Sequence, residues 1–176
     1  GRLRVRGRSA CAHRERALAD LAAWEAAALP RIRLASNLSL AQFRDPGLVD
    51  RLRGALVANG VSADRIELEL TETVLMHDVE SGIEILRRLR DLGVGLAVDD
   101  FGTGYSSLSY LKRFPVQKLK IDRSLGIGVA SESDTAAICR SVIGLGHNLG
   151  MQLVGEGVER EEDLEFLTRN HCDFVQ

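Results

Sequence analysis

The amino-acid sequence predicts an α/β protein whose fold is a TIM-type β/α barrel in incomplete form, with the first strand and the end of the barrel missing. Predicted strands and helices alternate about six times with short loops, the pattern of a parallel sheet covered by helices. A doubly wound sheet shows the same alternation. However, no G-x-G-x-x-G sequence follows the first strand and polar residues end nearly every strand, which favours the barrel. The chain has 176 residues, whereas a closed eight-stranded barrel seldom has fewer than about 200.

Composition excludes several classes of protein. The formal net charge of −2 is too small to indicate a nucleic-acid polymer as partner. The three cysteines, Cys11, Cys139 and Cys172, are widely scattered, which is typical of a reducing compartment. No apolar run approaches the roughly 20 residues that a transmembrane helix needs. The expected location is the cytoplasm, and a membrane tether elsewhere in a full-length protein stays open.

The predicted elements begin after a basic stretch, 1–10, which we expect to be poorly ordered; the barrel domain is predicted to span 11–176. Residues 11–28 have apolar side chains at helical spacing. An alternating strand, 31–37, follows and ends on Asn37.

In the next part of the chain, Asp45 and Pro46 predict the cap and first turn of a helix that Gly60 closes. A strand, 65–70, then runs into Thr71 and Glu72. Asp78 is predicted to cap a helix that stops at Gly93.

The central stretch is a short apolar strand, 94–98, followed by Asp99, Asp100 and a glycine-rich loop. Because side chains alternate along a strand, both carboxylates can reach one ligand only where the backbone turns. The remaining predicted elements are a helix from Tyr105 to Arg113, a strand 117–122, a helix from Ser131 to Leu149, a strand 151–154, a helix 161–169 and a strand 172–176.

The polar residues at the predicted strand ends are the candidate site. They are Asn37, Glu69, Glu72, Asp99, Asp100, Lys120, Asp122, Glu156, Glu159 and Gln176. In a barrel these positions surround one mouth, where so many carboxylates would repel one another unless a cation compensated them. Oxygen ligands without histidine or cysteine favour Mg²⁺ or Mn²⁺. An aspartate beside a second one could bridge two such ions for in-line attack on phosphorus, so phosphodiester hydrolysis is the predicted reaction class.

Each candidate has an ordinary structural alternative when it is considered alone. The Asp99-Asp100 pair could form an Asx turn or a helix N-cap. Glu67 and Glu69 could lie on an exposed strand face, and Lys120 could be a solvated surface lysine. The four histidines lack metal-ligand spacing, and we expect no catalytic role for them.

Five segments, in this order and spacing, resemble the EAL-domain family of cyclic di-GMP phosphodiesterases. They are Asn37-Leu38-Ser39, Glu69-Leu70-Thr71-Glu72, the stretch from Asp99 to Ser107, Leu119-Lys120-Ile121-Asp122 and Glu156-Gly157-Val158-Glu159. The resemblance runs from about Cys11 to Gln176. It implies a β/α barrel that opens cyclic di-GMP to linear pGpG with Mg²⁺ or Mn²⁺, as a homodimer formed through the loop after Asp100, within a longer protein that carries sensory or cyclase domains.

The resemblance also implies a role for each matching residue. Asn37, Glu69, Asp99 and Glu156 correspond to metal ligands, and Asp100 corresponds to a ligand of the second ion. Lys120 corresponds to the lysine that positions or deprotonates the attacking water. Glu72 corresponds to the glutamate that steadies the loop after Asp100, while Asp122, Glu159 and Gln176 correspond to residues that line or support the pocket.

One departure from the family pattern favours a second hypothesis. The Glu-Ala-Leu motif, whose glutamate is a further metal ligand in the family, does not occur in this chain. Loss of one ligand of a hydrolytic metal would cost orders of magnitude in rate. The alternative is therefore a catalytically silent EAL-like module that binds cyclic di-GMP or a protein partner.

Overall fold

The computed structural model describes residues 2–5, 10–27, 29–102, 108–126 and 133–176, and these form two compact units. The first unit comprises Gly1–Leu70 and Asp78–Leu96, and the second comprises Thr71–His77 and Ala97–Gln176. The elements, in chain order, are β1 (Arg2–Val5), α1 (Ala10–Ala26), β2 (Arg33–Asn37), α2 (Leu40–Phe43), α3 (Leu48–Asn59), a 3₁₀ turn (Ala63–Arg65), β3 (Ile66–Thr71), α4 (Glu72–Met76), α5 (Val79–Asp91), β4 (Gly95–Phe101), α6 (Leu108–Leu111), β5 (Lys118–Ile121), α7 (Arg123–Gly126), α8 (Ser133–Asn148), β6 (Gln152–Gly155), α9 (Glu161–Arg169) and β7 (Phe174–Val175).

The first unit is built on three adjacent parallel strands, β1, β2 and β3. Helix α1 packs against β1, β2 and α3, and its Leu18 and Leu21 are buried. The guanidinium of Arg65 is also buried. Its Nε donates to the Ile32 carbonyl at 2.6 Å, and one Nη donates to Glu25 at 3.2 Å. These contacts satisfy a charge that would be costly to bury alone.

The second unit contains β4 from Ala97 onward, followed by the parallel strands β5, β6 and β7 in that order. Helix α8 packs on β5 and β6 and buries Cys139 and Ile143. The regular pairing of β4 with β5 shifts between Val98 and Phe101, which is a β-bulge. A bulge adds a residue to one strand and bends it, so the carboxyl end of β4 departs from ordinary strand geometry.

Local signals in the sequence locate several helix ends correctly. Asp78 is the N-cap of α5, and its carboxylate accepts a hydrogen bond from the Ser81 amide at 3.3 Å. Gly60 ends α3 in the left-handed conformation with φ of 65°, which glycine adopts without steric cost. Helix α9 has the predicted bounds.

The prediction that Asp45 caps α3 with Pro46 in its first turn is wrong. The helix begins at Leu48 with Gly47 as N-cap. The Asp45 carboxylate instead accepts a hydrogen bond from the Gly47 amide at 2.9 Å and pairs with Arg51. Asp45 therefore forms a turn ahead of the helix, as aspartate does when it bonds the backbone two residues on.

Strand β1 lies within the basic stretch 1–10 and pairs with β2 from Arg2 opposite Arg33 to Val5 opposite Ser36. Some other observed elements and side-chain orientations differ from those expected from the sequence. Helices α2, α4 and α7 were not predicted. The apolar pattern of α8 predicts that Ala137 and Ile138 face inward, but both are exposed. The predicted helix starts at Tyr105 and Ser131, the end of the first helix at Ala28 and most of the loop after Asp100 lie outside the described residues.

Within the described part of the chain, no helix combines the length and the apolar character needed to cross a bilayer.

Candidate metal centre

The centre of the site is Lys120, whose ammonium group lies between two carboxylates. Its Nζ donates to Asp99 Oδ1 at 2.6 Å and lies 2.5 Å from Glu156 Oε1. The contact with Glu156 has the distance of an ion pair without the angles of a hydrogen bond. Lys120 is fully buried, and Asp99 and Glu156 retain only 2% and 8% of their exposure. Asp99 lies near the end of β4, Lys120 lies near the end of β5, and Glu156 directly follows β6. These three strands are neighbours.

The bulge in β4 brings a further carboxylate to this cluster. Asp100 has a φ of 53°, a left-handed conformation that few residues other than glycine, asparagine and aspartate adopt. In a regular strand Asp99 and Asp100 would point to opposite faces. Here, one carboxylate oxygen from each, with one from Glu156, lie within 4.8 Å of one another. The expected turn is therefore present, and it is made at Asp100 itself as well as at Gly102, whose φ is 99°.

The composition of this cluster fits a metal ion. The cluster has three carboxylates and one ammonium group, so the formal charge of the four side chains is negative and a cation would compensate it. All the available donors are oxygens, which hard divalent cations prefer to nitrogen or sulfur. Among the described residues, the group that could hold a metal contains no histidine or cysteine.

Backbone hydrogen bonds join the strand ends at the level of the site. The Asp122 amide donates to the Phe101 carbonyl at 3.4 Å, and the Glu156 amide donates to the Ile121 carbonyl at 3.2 Å. On the far side, the Gln176 amide donates to the Gly155 carbonyl at 2.8 Å. These hydrogen bonds join neighbouring strands directly beyond their regular pairing, and so restrain the backbone near Asp99, Lys120 and Glu156.

Asp122 and Glu159 follow β5 and β6 and are more exposed than the central cluster. Burial opposes ionisation of Asp122, but hydrogen bonds from Ser124 and from the Arg123 amide outweigh it and lower the pKa of its carboxyl group. Glu159 pairs with Arg123 at 3.0 Å. Arg123 is a residue that the sequence did not single out; the only signal was a basic residue directly after Asp122.

In the first unit, Asn37 and Glu69 are register partners at the carboxyl ends of β2 and β3. The amide of Leu38 donates to the Glu69 carbonyl at 2.8 Å. Glu69 and Glu67 are 1% and 2% exposed, so the alternative that they lie on an exposed strand face is wrong. The alternative that Lys120 is a solvated surface lysine is wrong for the same reason.

Glu72 opens α4 in the second unit and is also buried, at 7% exposure. Its Oε2 atom has no hydrogen-bond partner among the residues that the structure describes. The remaining predicted residue, Gln176, is exposed, and its carbonyl accepts a hydrogen bond from the Val158 amide at 3.2 Å.

Comparison with known proteins agrees with this architecture. The EAL domain family model matches residues 12–176. Over 143 residues, 81% of this chain, the sequence is 47% identical to the bifunctional diguanylate cyclase/cyclic di-GMP phosphodiesterase MucR of Pseudomonas aeruginosa, and it covers 21% of that protein. It is 42% identical to the cyclic di-GMP phosphodiesterase NbdA of the same organism, covering 92% of this chain and 21% of NbdA. The chain thus spans about a fifth of the length of these relatives.

Solved structures give the same result. The P. aeruginosa MucR phosphodiesterase in complex with c-di-GMP matches with a TM-score of 0.85 and 41% identity, covering 94% of this chain and 69% of that one. The EAL domain of Mycobacterium smegmatis DcpA matches with a TM-score of 0.84 and 40% identity, covering 90% of this chain and 71% of that one. The predicted fold class, a TIM-type β/α barrel in incomplete form, is confirmed by these matches. From its sequence and its fold, this chain belongs to the EAL domain family.

Proposed function

We propose that this chain carries the active site of a metal-dependent phosphodiesterase that hydrolyses cyclic di-GMP to linear pGpG. The observation that carries the proposal is the buried cluster of Asp99, Lys120 and Glu156 with Asp100 beside it. The relatives named as cyclic di-GMP phosphodiesterases support it, and so does the structural match to a c-di-GMP complex.

The proposed metal is Mg²⁺ or Mn²⁺, bound as two ions. Asp99, Glu156, Asn37 and Glu69 would supply ligands to one ion, and Asp100 would supply a ligand to the second. When bound, the ions would polarise the scissile phosphate and lower the pKa of the attacking water. The oxygen donors and the excess of carboxylates over ammonium groups in the buried cluster fit this assignment.

Lys120 would hold the attacking water through its ammonium group, or take the proton of that water after giving up one of its own. Its Nζ is anchored by Asp99 and Glu156, so the position of the proton-handling group is fixed before substrate arrives. Water adds its oxygen to phosphorus and gives up a proton, the phosphorus–oxygen bond to the 3′ oxygen breaks, and that oxygen takes up a proton and leaves as a hydroxyl. Asp122, Glu159 and Gln176 would line or support the substrate pocket, and the lowered pKa of Asp122 extends the ionised state of its carboxylate to lower pH.

The proposal extends to the setting of the domain. We expect a cytoplasmic homodimer formed through the loop after Asp100, with Glu72 supporting that loop, in a longer protein that also carries sensory or cyclase domains. Glu72 is buried at the start of α4, and its Oε2 atom has no hydrogen-bond partner among the described residues, which supports this role. Light scattering would report the dimer, and a Glu72→Ala chain that remains as dimeric as the wild type would contradict this role.

The activity is tested by incubating the chain with cyclic di-GMP and Mn²⁺ and measuring pGpG by chromatography. Asp99→Ala should lower turnover by at least about 100-fold, because a metal ligand and the partner of Lys120 are both lost. Asp50→Ala is the matched control, since Asp50 is an aspartate whose side chain is 64% exposed. Turnover retained in Asp99→Ala, or unaffected by a chelator, would overturn the proposed mechanism.

A second candidate function rests on the absence of a Glu-Ala-Leu sequence from the chain. A catalytically silent module would bind cyclic di-GMP or a protein partner without turnover. Calorimetry with cyclic di-GMP distinguishes the two hypotheses, because binding without release of pGpG in Mn²⁺ would favour the silent module.

A further inference from the structure

The short helix α7 places two side chains against two glycines that follow site carboxylates. It comprises only Arg123–Gly126 and comes directly after Asp122. One glycine, Gly157, follows Glu156, and the other, Gly102, is two residues past Asp100. Both glycines have positive φ angles, 67° and 99°.

The stem of Arg123 lies across Gly157. A Cβ atom at Gly157 would be 2.7 Å from Arg123 Cγ and 2.8 Å from Cδ, closer than real Cβ contacts. At its far end, Nη2 of Arg123 is 3.0 Å from Glu159 Oε1. Arg123 therefore contacts the loop after β6 both at the residue next to Glu156 and three residues beyond it.

Leu125 makes the equivalent contact with the loop after β4. A Cβ atom at Gly102 would overlap Leu125 Cδ1, and Leu125 is half-buried. Because Gly102 directly follows the bulged end of β4, the Leu125 side chain limits how far this segment can move. One turn of helix thus contacts the segments that directly follow Asp100 and Glu156, two carboxylates of the candidate centre.

These contacts add little to global stability. The side chains of Arg123 and Glu159 are 60% and 65% exposed, and solvent screens such a pair so strongly that most contribute almost nothing measurable. The contacts instead restrain the position of the segment 156–159, which begins with Glu156, a carboxylate of the buried cluster.

We propose that α7 is a positioning element, in which Arg123 and Leu125 hold the carboxyl ends of β4 and β6 at the separation that metal binding requires. This inference rests on the proposed function, because it assigns the metal of the phosphodiesterase site to these carboxylates. Arg123 and Leu125 act through Glu156 and Asp100 and are positioning residues, with no contact to reacting atoms.

The test compares Arg123→Ala with Arg123→Lys, and with Arg169→Ala as the matched control. Arg169 also pairs with a glutamate at 3.0 Å and is 78% exposed, but this pair lies within α9. Calorimetric titration of the 176-residue chain with Mn²⁺, without substrate, gives the first readout. Arg123→Ala should weaken Mn²⁺ binding about tenfold, the scale of lost supporting contacts around a metal, while Arg169→Ala leaves it unchanged.

The Lys variant separates positioning from a folding defect. Lysine keeps the stem over Gly157 and the charge facing Glu159, so Arg123→Lys should recover Mn²⁺ affinity to within about threefold of wild type. Thermal unfolding should place all three variants within a few degrees of one another. A folded Lys variant that binds Mn²⁺ no better than the Ala variant overturns the proposal.

Leu125→Ala tests the contact with Gly102 independently, and it too should weaken Mn²⁺ binding. Turnover gives the second readout: saturating Mn²⁺ should restore much of kcat in Arg123→Ala, because the carboxylates themselves remain. Unchanged Mn²⁺ affinity in both Arg123→Ala and Leu125→Ala overturns the inference. If the wild-type chain makes no pGpG but these variants still lose Mn²⁺ affinity, the proposed function is refuted and the inference is supported. If the wild-type chain binds no Mn²⁺, both are refuted.

Discussion

The Nζ atom of Lys120 lies 2.6 Å from Oδ1 of Asp99, and neither side chain is accessible to solvent to any useful degree. Burying a charged pair is favourable only when each member keeps its partner. The lysine and the carboxylates of the candidate centre are consequently interdependent, and removing one member exposes the contribution of the others.

Lys120→Met removes the buried cation and leaves Asp99 and Glu156 facing each other. Breaking such a buried pair costs about 3–5 kcal/mol, so the free energy of unfolding without metal should fall by roughly that amount. Mn²⁺ should raise the melting temperature more in this variant than in wild type, because it would then be the only cation compensating the carboxylates. Thermal unfolding with and without Mn²⁺ measures both effects, and Lys112→Met, at an exposed position, is the control. A variant as stable as Lys112→Met would contradict the prediction.

Asp100 has both a backbone role and a ligand role, and two substitutions separate them. Asn tolerates the left-handed conformation that Asp100 adopts, whereas Ala is strained there by about 1 kcal/mol. Chemical denaturation should therefore find Asp100→Asn close to wild type in stability and Asp100→Ala less stable. Both variants should bind Mn²⁺ more weakly, since each loses the negative charge. Equal stability of the two variants would mean that the bulge imposes no strain.

Asp173 gives a pH-dependent contribution to stability. Burial works against its ionisation, but the Leu153 amide at 2.8 Å and His147 at 3.1 Å lower the pKa of its carboxyl group. A lowered folded-state pKa stabilises the fold above the unfolded pKa, and this stabilisation is lost as the pH falls through the folded value. The difference in unfolding free energy between wild type and Asp173→Asn should then shrink below about pH 4. A difference that is constant from pH 3 to pH 6 would refute this linkage.

Cys139 should be chemically inert in the folded chain. Burial, together with the nearby Cys172, raises the pKa of the Cys139 thiol to about 11, and the side chain is fully buried. Because the thiolate is the reactive form, alkylation at pH 8 followed by peptide mass mapping should leave Cys139 unmodified until denaturant is added. Modification of Cys139 in the native chain at the rate of a free thiol would show that α8 opens readily.

The sequence predicted the fold class more accurately than it predicted the individual helices and strands. Alternating strands and helices, the Asp78 cap and the Gly60 end depend on local chemistry and were predicted. Helices α2 and α7 have four residues each, too few for a hydrophobic period to show. The bulge at Asp100 depends on the pairing of β4 with β5, which a one-dimensional pattern does not contain.

The candidate site shows the same division. Strand-end position was enough to single out Asp99, Asp100, Lys120 and Glu156, which the structure brings together. That Lys120 is completely buried could not be read from its neighbours in sequence, since lysine is rarely inside a protein. The contact of Arg123 with Gly157 was invisible as well, because it joins loops that follow different strands.

The lateral hydrogen bonds at the strand ends have a consequence for how the centre moves. The amide hydrogens of Asp122 and Glu156 are held by the carbonyls of Phe101 and Ile121 on the neighbouring strands. They exchange with solvent deuterium only when adjacent strand ends separate. Hydrogen exchange at these two amides therefore reports local opening at the carboxylate cluster. The protection factor of Asp122 gives the free energy of separating the ends of β4 and β5, and that of Glu156 gives the free energy of separating the ends of β5 and β6.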